Sequence, residues 1–139
     1  MWCPRSIAIV VLLATLPALA HSFRLGEIEI GHPSAPPSTA TEAAVYLALS
    51  NRGDTADQLI AASSPRSKAI ELRGSDEAAV TAIALEPKRP LALRPGKPHL
   101  ALLGLSKPLA LGEEFPLILR FAGGGTIEVT VAVEAAPGH

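Results

Sequence analysis

Apolar and polar residues alternate along several short segments of this chain, which is the pattern of half-buried β-strands. The clearest cases are residues 115–121 (FPLILRF) and 126–134 (TIEVTVAVE), on either side of a glycine turn. Residues 32–41 (HPSAPPSTAT) break the alternation with prolines and are predicted to form a loop. The other predicted strands are residues 24–30, 43–50, 59–63, 69–72, 80–85, 91–93 and 99–105.

This spacing of strands and turns indicates an all-β domain. Seven to nine short strands with turn signals every 8–12 residues are typical of a β-sandwich or barrel. Residues 42–49 contain enough alanine for a helix, but Val45, Tyr46 and the turn that follows favour a strand. No other segment shows the 3.6-residue period with helix caps.

The first twenty residues have the three parts of a secretory signal peptide. Arg5 supplies a positive charge, residues 7–16 (IAIVVLLATL) are apolar, and Ala18-Leu19-Ala20 offers small residues at a cleavage site. A membrane anchor needs roughly 20 apolar residues, about twice this run. Cleavage after Ala20 is therefore expected, which leaves residues 21–139 as a single periplasmic domain with a frayed tail.

Charge and cysteine content argue against several classes of function. The only cysteine, Cys3, lies inside the predicted signal peptide, so neither disulfides nor lipid attachment is expected in the mature chain. Without Arg5, 11 basic residues face 13 acidic ones and form no basic cluster, which argues against nucleic-acid binding. No second apolar run is long enough to insert into a membrane after cleavage.

Motifs for catalysis are also missing from the sequence. There is no G-x-S-x-G motif, and the mature chain has no cysteine nucleophile. The glycine run 123–125 lacks the Lys-Ser/Thr ending of a phosphate loop and is predicted to be a hairpin turn. An enzyme is therefore not expected.

Four histidines, His21, His32, His99 and His139, are the candidate metal ligands. None is spaced from another as H-x-H or H-x-x-x-H. His32 precedes a proline and is interpreted as a loop residue, and His139 ends the chain. His99 opens an apolar strand directly after a Pro-Gly turn, where a structural role and a ligand role remain equally open.

Residues 93–119 (LRPGKPHLALLGLSKPLALGEEFPLIL) resemble the periplasmic copper chaperone family of the PCu(A)C type. Residues 27–33, 45–51, 70–72 and 121–133 resemble further family segments in the same order. The resemblance implies a cupredoxin-like Greek-key β-sandwich. It also implies a periplasmic copper-binding protein that delivers copper to cytochrome oxidase or serves copper homeostasis.

The family's copper ligands are mostly missing. By resemblance, Cu(I) is held by two histidines and two methionines. His99 matches one of these positions, while Arg73, Ala84 and Ala101 stand at the other three. The mature chain has no methionine, because Met1 is the only one. A guanidinium adds a positive charge and has no lone pair to offer, so the site is predicted to be degenerate.

Two main hypotheses follow from this loss. In the first, cleavage exposes His21 as an N-terminal residue whose amine and imidazole chelate Cu(II), completed by His32 or by His99; the metal ligands are then His21 and His99. Its partners are the copper ion, as Cu(I) or Cu(II), and a periplasmic copper acceptor such as an oxidase subunit or another chaperone. In the second, the domain is a metal-free interaction module that uses residues 33–41 or an edge strand.

A third hypothesis, a copper enzyme with an N-terminal histidine brace, is weaker. It needs a second histidine aligned with His21 and an open coordination position. The mature chain also has few aromatic residues with which to bind a polymeric substrate.

Overall fold

The computed structural model describes residues 22–135, which form β-strands only. No helix in this part of the chain has the length and hydropathy of a membrane span. The predicted signal peptide, His21 and the predicted tail (137–139, which includes His139) lie outside the described residues. The ten strands are β1 Ser22–Leu25, β2 Ile28–Ala35, β3 Glu42–Asn51, β4 Asp57–Ser63, β5 Ser67–Arg73, β6 Ile83–Leu85, β7 Arg89–Leu93, β8 His99–Leu105, β9 Glu114–Phe121 and β10 Thr126–Val133.

The strands form one strongly curved sheet in the order β5-β8-β3-β2-β10-β9-β4-β6, with β1 paired to β2 and β7 to β3. All pairings are antiparallel except that of β2 with β10, where Ala132 lies opposite Ser34. The turn after Ser63 joins β4 to β5, although these strands lie near opposite ends of the order. The sheet therefore curls into a nearly closed barrel, and the predicted all-β fold is confirmed.

The apolar residues of the alternating segments are buried in the core, as predicted. In β9, Phe115, Leu117, Leu119 and Phe121 are at most 2% exposed, and Pro116, Ile118 and Arg120 between them are more accessible. Each large apolar side chain buried in this way contributes about 1.5–3 kcal/mol. With no cysteine among the described residues, this burial and the sheet hydrogen bonds hold the domain together.

The prediction of one strand over residues 24–30 was wrong. Gly26 adopts a φ of 58°, in the left-handed region that glycine enters without strain, and turns the chain between β1 and β2. The resulting hairpin pairs Ser22 with Gly31 and Leu25 with Ile28. The chain is therefore paired to β2 from Ser22 onward.

The predicted loop over residues 32–41 was wrong for its first four residues, which continue β2. His32 has a φ of 51°, and the register between β2 and β3 shifts between Gly31 and Ser34, so the strand contains a bulge here. Pro33 lacks an N–H, which a bulge tolerates. Pairing with β10 then extends the strand to Ala35.

The prediction of a strand over residues 80–85 was too long. Val80 donates its N–H to the carbonyl of Leu72, so the chain there follows β5 before it reaches β6. Only Ile83–Leu85 pairs with β4. The segment from Gly74 to Ala82 instead forms a loop over the end of β5.

Candidate metal centre

The family's ligand positions on β5 and β8 lie together in the structure. Arg73 is directly opposite His99, and Glu71 is opposite Ala101. Because alternate residues of a strand share a face, all four side chains lie on the same side of the sheet. Arg73, His99 and Ala101 line a pocket of about 220 Å³, together with Tyr46 of β3 and Glu77 from the loop after β5.

Arg73 is surrounded by carboxylates in this pocket. Its Nε donates to Oε1 of Glu71 at 2.9 Å, and its Nη1 donates to Oε1 of Glu42 at 3.2 Å. Oε1 of Glu77 lies 3.7 Å from the same Nη1. The pKa of Arg73 is raised, chiefly by the hydrogen bond to Glu71; burial acts in the opposite direction, and the charge of Glu42 adds to the rise. We call Arg73, Glu42, Glu71, Glu77 and His99 the Arg73 cluster.

His99 is the most enclosed member of the Arg73 cluster, with a side chain only 6% exposed. Its Nδ1 lies 2.9 Å from the carbonyl oxygen of Lys97. A carbonyl only accepts, so Nδ1 carries a hydrogen and Nε2 is left to take a proton or a cation. Nε2 faces Oε1 of Glu77 at 3.3 Å. The imidazole is therefore oriented by the protein, and the carboxylate of Glu77 already faces its other nitrogen.

Tyr46 completes the wall of the pocket on β3. Its ring centroid is 6.1 Å from that of His99, with the planes tilted by 57°. Burial is the main cause that raises the pKa of Tyr46, and the charge of Glu77 adds to the rise. The pocket therefore favours the neutral phenol and places a carboxylate in electrostatic contact with it.

The fourth position implied by the resemblance does not reach this pocket. Ala84 pairs with Gln58 of β4, is exposed, and is absent from the pocket lining. Glu77, which has a left-handed φ of 69°, faces Nε2 of His99 instead. Glu42, Glu71 and Glu77 are not predicted from the sequence; of these, only Glu71 has a local signal, its i, i+2 spacing from Arg73 on one strand face.

The donor set of the Arg73 cluster does not suit the family's Cu(I) site. Thioether donors, which select Cu(I), are absent because residues 22–135 contain no methionine. A cation on Nε2 of His99 would lie beside the guanidinium of Arg73. Across the described part of the chain, no three His, Cys, Asp or Glu side chains are grouped so that they could hold a metal ion.

A second histidine–carboxylate pair lies near the start of β1. Nε2 of His32 is 2.7 Å from Oε1 of Glu134, and the two side chains are 64% and 42% exposed. Ser22, the first described residue, pairs with Gly31 next to this histidine. We call Ser22, His32 and Glu134 the N-terminal corner.

The strand order separates His99 from the N-terminal corner. Strand β1 pairs with β2, β2 with β3, and β3 with β8, which begins at His99. Three inter-strand spacings amount to about 14 Å across the sheet. The described histidine closest in register to the start of β1 is therefore His32. His21, the other predicted ligand, lies outside the described residues.

Comparison with known proteins agrees with this architecture. Residues 27–133 match the LpqE-like family model, described as "Putative lipoprotein LpqE-like", a description of an exported cell-envelope protein. No curated protein matches the sequence.

Solved PCuAC domains have the same fold. The apo PCuAC domain of PmoF1 has a TM-score of 0.78 at 26% identity, over 83% of this chain and 99% of that one. The copper-bound PCuAC domain of PmoF2 has a TM-score of 0.76 at 30% identity, over 83% and 98%. CuI-DR1885 of Deinococcus radiodurans shares the fold, with a TM-score of 0.67 at 23% identity over 83% and 81%. The predicted cupredoxin-like fold is confirmed, and this chain belongs to the LpqE-like family of PCuAC-type copper-chaperone domains.

Proposed function

We propose that this protein binds copper in the periplasm as Cu(II), through nitrogen and carboxylate donors, and does not hold Cu(I) at the family's usual position. The Arg73 cluster carries the proposal, because a permanently charged guanidinium with three carboxylate partners stands next to the one retained histidine. Copper remains the cargo of choice because relatives of this fold, PmoF2 among them, have been solved with copper bound.

Opening the Arg73 cluster for Cu(I) would be costly. The metal would have to displace Arg73, whose side chain is only 18% exposed, from Glu42, Glu71 and Glu77. Those carboxylates would then repel one another, while the incoming ion would find a single imidazole and hard oxygen donors. Such donors suit Cu(II) better than Cu(I).

The predicted cleavage site supplies a different donor set. A cut after Ala20 makes His21 the first residue, so that its α-amino group and imidazole can chelate one ion as a pair. The amine has an ordinary pKa of about 8, so Cu(II) can displace its proton at neutral pH. The strand that follows is anchored, since Ser22 pairs with Gly31.

The proposal also includes export of the protein to the cell envelope and transfer of its copper to an acceptor. The signal peptide pattern and the family's lipoprotein description both support a location in the cell envelope. A site at the chain terminus is accessible to a protein that accepts copper, such as an oxidase subunit or another chaperone. The protein acts as a carrier in this proposal and has no catalytic role.

A metal-free interaction module is the second candidate function, and the Arg73 cluster favours it too. The cluster satisfies its own charges without a metal: Arg73 is paired three times and His99 is paired with Glu77. The domain would then serve as a scaffold for a partner protein in the envelope.

Calorimetry with two forms of the mature protein separates these functions. One form begins at His21, and the matched control is the same chain with His21→Ala, which keeps the terminal amine and removes the imidazole. We expect one Cu(II) per chain for the first form and much weaker binding for the control, with no Cu(I) taken from a competing chelator by either. Equal Cu(II) binding by both forms would refute the N-terminal site, and no binding of copper by either would leave the metal-free module.

A further inference from the structure

We infer that a pocket at one end of the barrel is a docking site for an exposed arginine of a partner protein. The pocket occupies about 410 Å³ between three turns: the β1–β2 hairpin, the segment 52–56 after β3 and the β9–β10 hairpin. It is far from the Arg73 cluster, since Glu42 of that cluster begins β3 and Asn51 at the pocket ends it, about 30 Å further along the strand. The inference is independent of the copper site proposed above.

The inner wall of this pocket is apolar and its mouth is acidic. Ile28 and Phe121, which are 5% and 2% exposed, form part of the inner wall. Glu27 and Asp54 are exposed at the mouth, and Asp57 is the third carboxylate of the lining. No lysine or arginine is among the lining residues that the structure describes. A ligand that complements this arrangement has an apolar stem and a positively charged end.

The three carboxylates are available to a cation from outside the chain. Glu27 and Asp57 form no ion pair with any described residue. Asp54 pairs with Lys88 at 3.4 Å, but the two side chains are 91% and 65% exposed, and a contact so open to solvent contributes little. A guanidinium carries five N–H donors in one plane and can bond more than one carboxylate, whereas an ammonium is a compact point charge. Arginine therefore suits the pocket better than lysine.

Hydrogen bonds hold the three turns in place before any ligand binds. The N–H of Arg52 donates to the carbonyl of Glu27 at 2.8 Å, which ties the second turn to the first. Oδ1 of Asp57 accepts the N–H groups of Gly123 and Gln58 at 2.8 and 2.7 Å, which ties the third turn to β4. A Cβ at position 123 would lie 2.8 Å from Oδ2 of Asp57, so glycine leaves space beside that oxygen. A preformed pocket costs less to order on binding than a flexible one.

Amide chemical shifts of the mature protein, measured by NMR with N-acetyl-arginine amide as the probe, test the inference. N-acetyl-citrulline amide has nearly the same shape without the charge and is the matched control ligand. Glycine signals report on binding and on its location at once, because one group of glycines lines the pocket and another lies elsewhere. The first group is Gly26, Gly53, Gly123, Gly124 and Gly125. The second group is Gly31, Gly74, Gly96, Gly104 and Gly112.

We expect the arginine probe to shift the first group of glycine signals, with a Kd on the order of 1 mM, and the citrulline probe to leave both groups unchanged. E27Q and D54N should each weaken binding about two- to fivefold. E114Q removes an exposed carboxylate at the other end of β9 and should bind as the wild type does. Equal shifts in both glycine groups, or equal effects of the two probes, would refute the site. If the first group shifts when the protein is concentrated without a probe, a second copy of the chain occupies the pocket and the partner assignment is refuted.

Discussion

Two histidine–carboxylate pairs in this domain have similar contacts and very different surroundings. His99 faces Glu77 at 3.3 Å within the Arg73 cluster, and its side chain is 6% exposed. His32 faces Glu134 at 2.7 Å in the N-terminal corner, and its side chain is 64% exposed. In the first pair, the guanidinium of Arg73 also contacts the carboxylate of Glu77, with Nη1 at 3.7 Å from it.

The difference shows that a retained histidine does not preserve a metal site. A ligand needs a free lone pair, matching donors and a local charge that admits a cation. His99 keeps the orientation of a ligand, through its Nδ1–H bond to Lys97, but Arg73 supplies the local positive charge in place of a metal. His32 has an ordinary loop-like sequence context and nonetheless sits beside a carboxylate and near the start of β1.

The largest expected effect comes from restoring family ligands to the Arg73 cluster. Arg73→His with Ala101→Met places two nitrogens and a thioether on one face of β5 and β8, because Arg73 pairs with His99 and Ala101 lies two residues further along β8. We expect the Cu(I) affinity to rise on the order of a hundredfold or more, measured by competition with a chromogenic Cu(I) chelator. Arg73→Gln with Ala101→Met is the control without the second imidazole. If the wild-type protein takes Cu(I) as well as the double variant does, the cluster does not exclude the ion.

A smaller effect is expected on stability when Arg73 alone is neutralised. Arg73→Gln leaves Glu42, Glu71 and Glu77 without their cation, and we expect a loss of about 1–2 kcal/mol in the free energy of unfolding, since solvent screens the partly exposed carboxylates. Urea denaturation measures it. Arg52→Gln is the control, because Arg52 is 58% exposed and, within residues 22–135, forms an ion pair only with Glu29; its loss should stay below about 0.5 kcal/mol. Equal losses in both variants would contradict a special role for the Arg73 cluster.

The smallest expected effect is a shift in the titration of Tyr46. This is the only tyrosine, and the only tryptophan, Trp2, lies in the predicted signal peptide, so phenolate absorbance reports on the pocket alone. We expect Tyr46 to ionise above its ordinary pKa of 10.0, and Glu77→Gln to lower that pKa without returning it fully, because burial is the larger cause. Since the folded pKa is raised, the stabilisation is complete below the unfolded pKa and is lost as pH rises through the folded value. A pKa that is the same in Glu77→Gln and in Glu128→Gln would remove Glu77 from the environment of Tyr46.

Much of the fold could be predicted from local patterns, and each error in that prediction has a clear physical cause. The alternation in residues 115–121 and 126–134 located β9 and β10 closely, because each strand buries one face. The hairpin at Gly26 was missed because one glycine within an alternating segment resembles a strand with a bulge. The end of β2 was missed because its pairing with β10 joins residues about a hundred positions apart, which no local pattern records.

The candidate site was likewise predicted only in part. The resemblance placed positions 73, 99 and 101 in one site, and the register of β5 and β8 brings them together. It placed position 84 there as well, but β6 carries Ala84 to the far edge of the sheet beside β4. His21 remains a prediction, since it lies outside the described residues.

Composition and periodicity by themselves determine that this is an all-β domain, and that residues 22–135 contain neither cysteine nor methionine and therefore no soft copper ligand. Those properties depend on residue identity and on neighbours two positions apart. The tertiary structure alone decides that Glu42 and Glu77 surround Arg73, and that Glu134 meets His32. Electrostatic and metal-binding behaviour depends on distances of a few ångströms between atoms from separate strands, and only the closure of the sheet sets those distances.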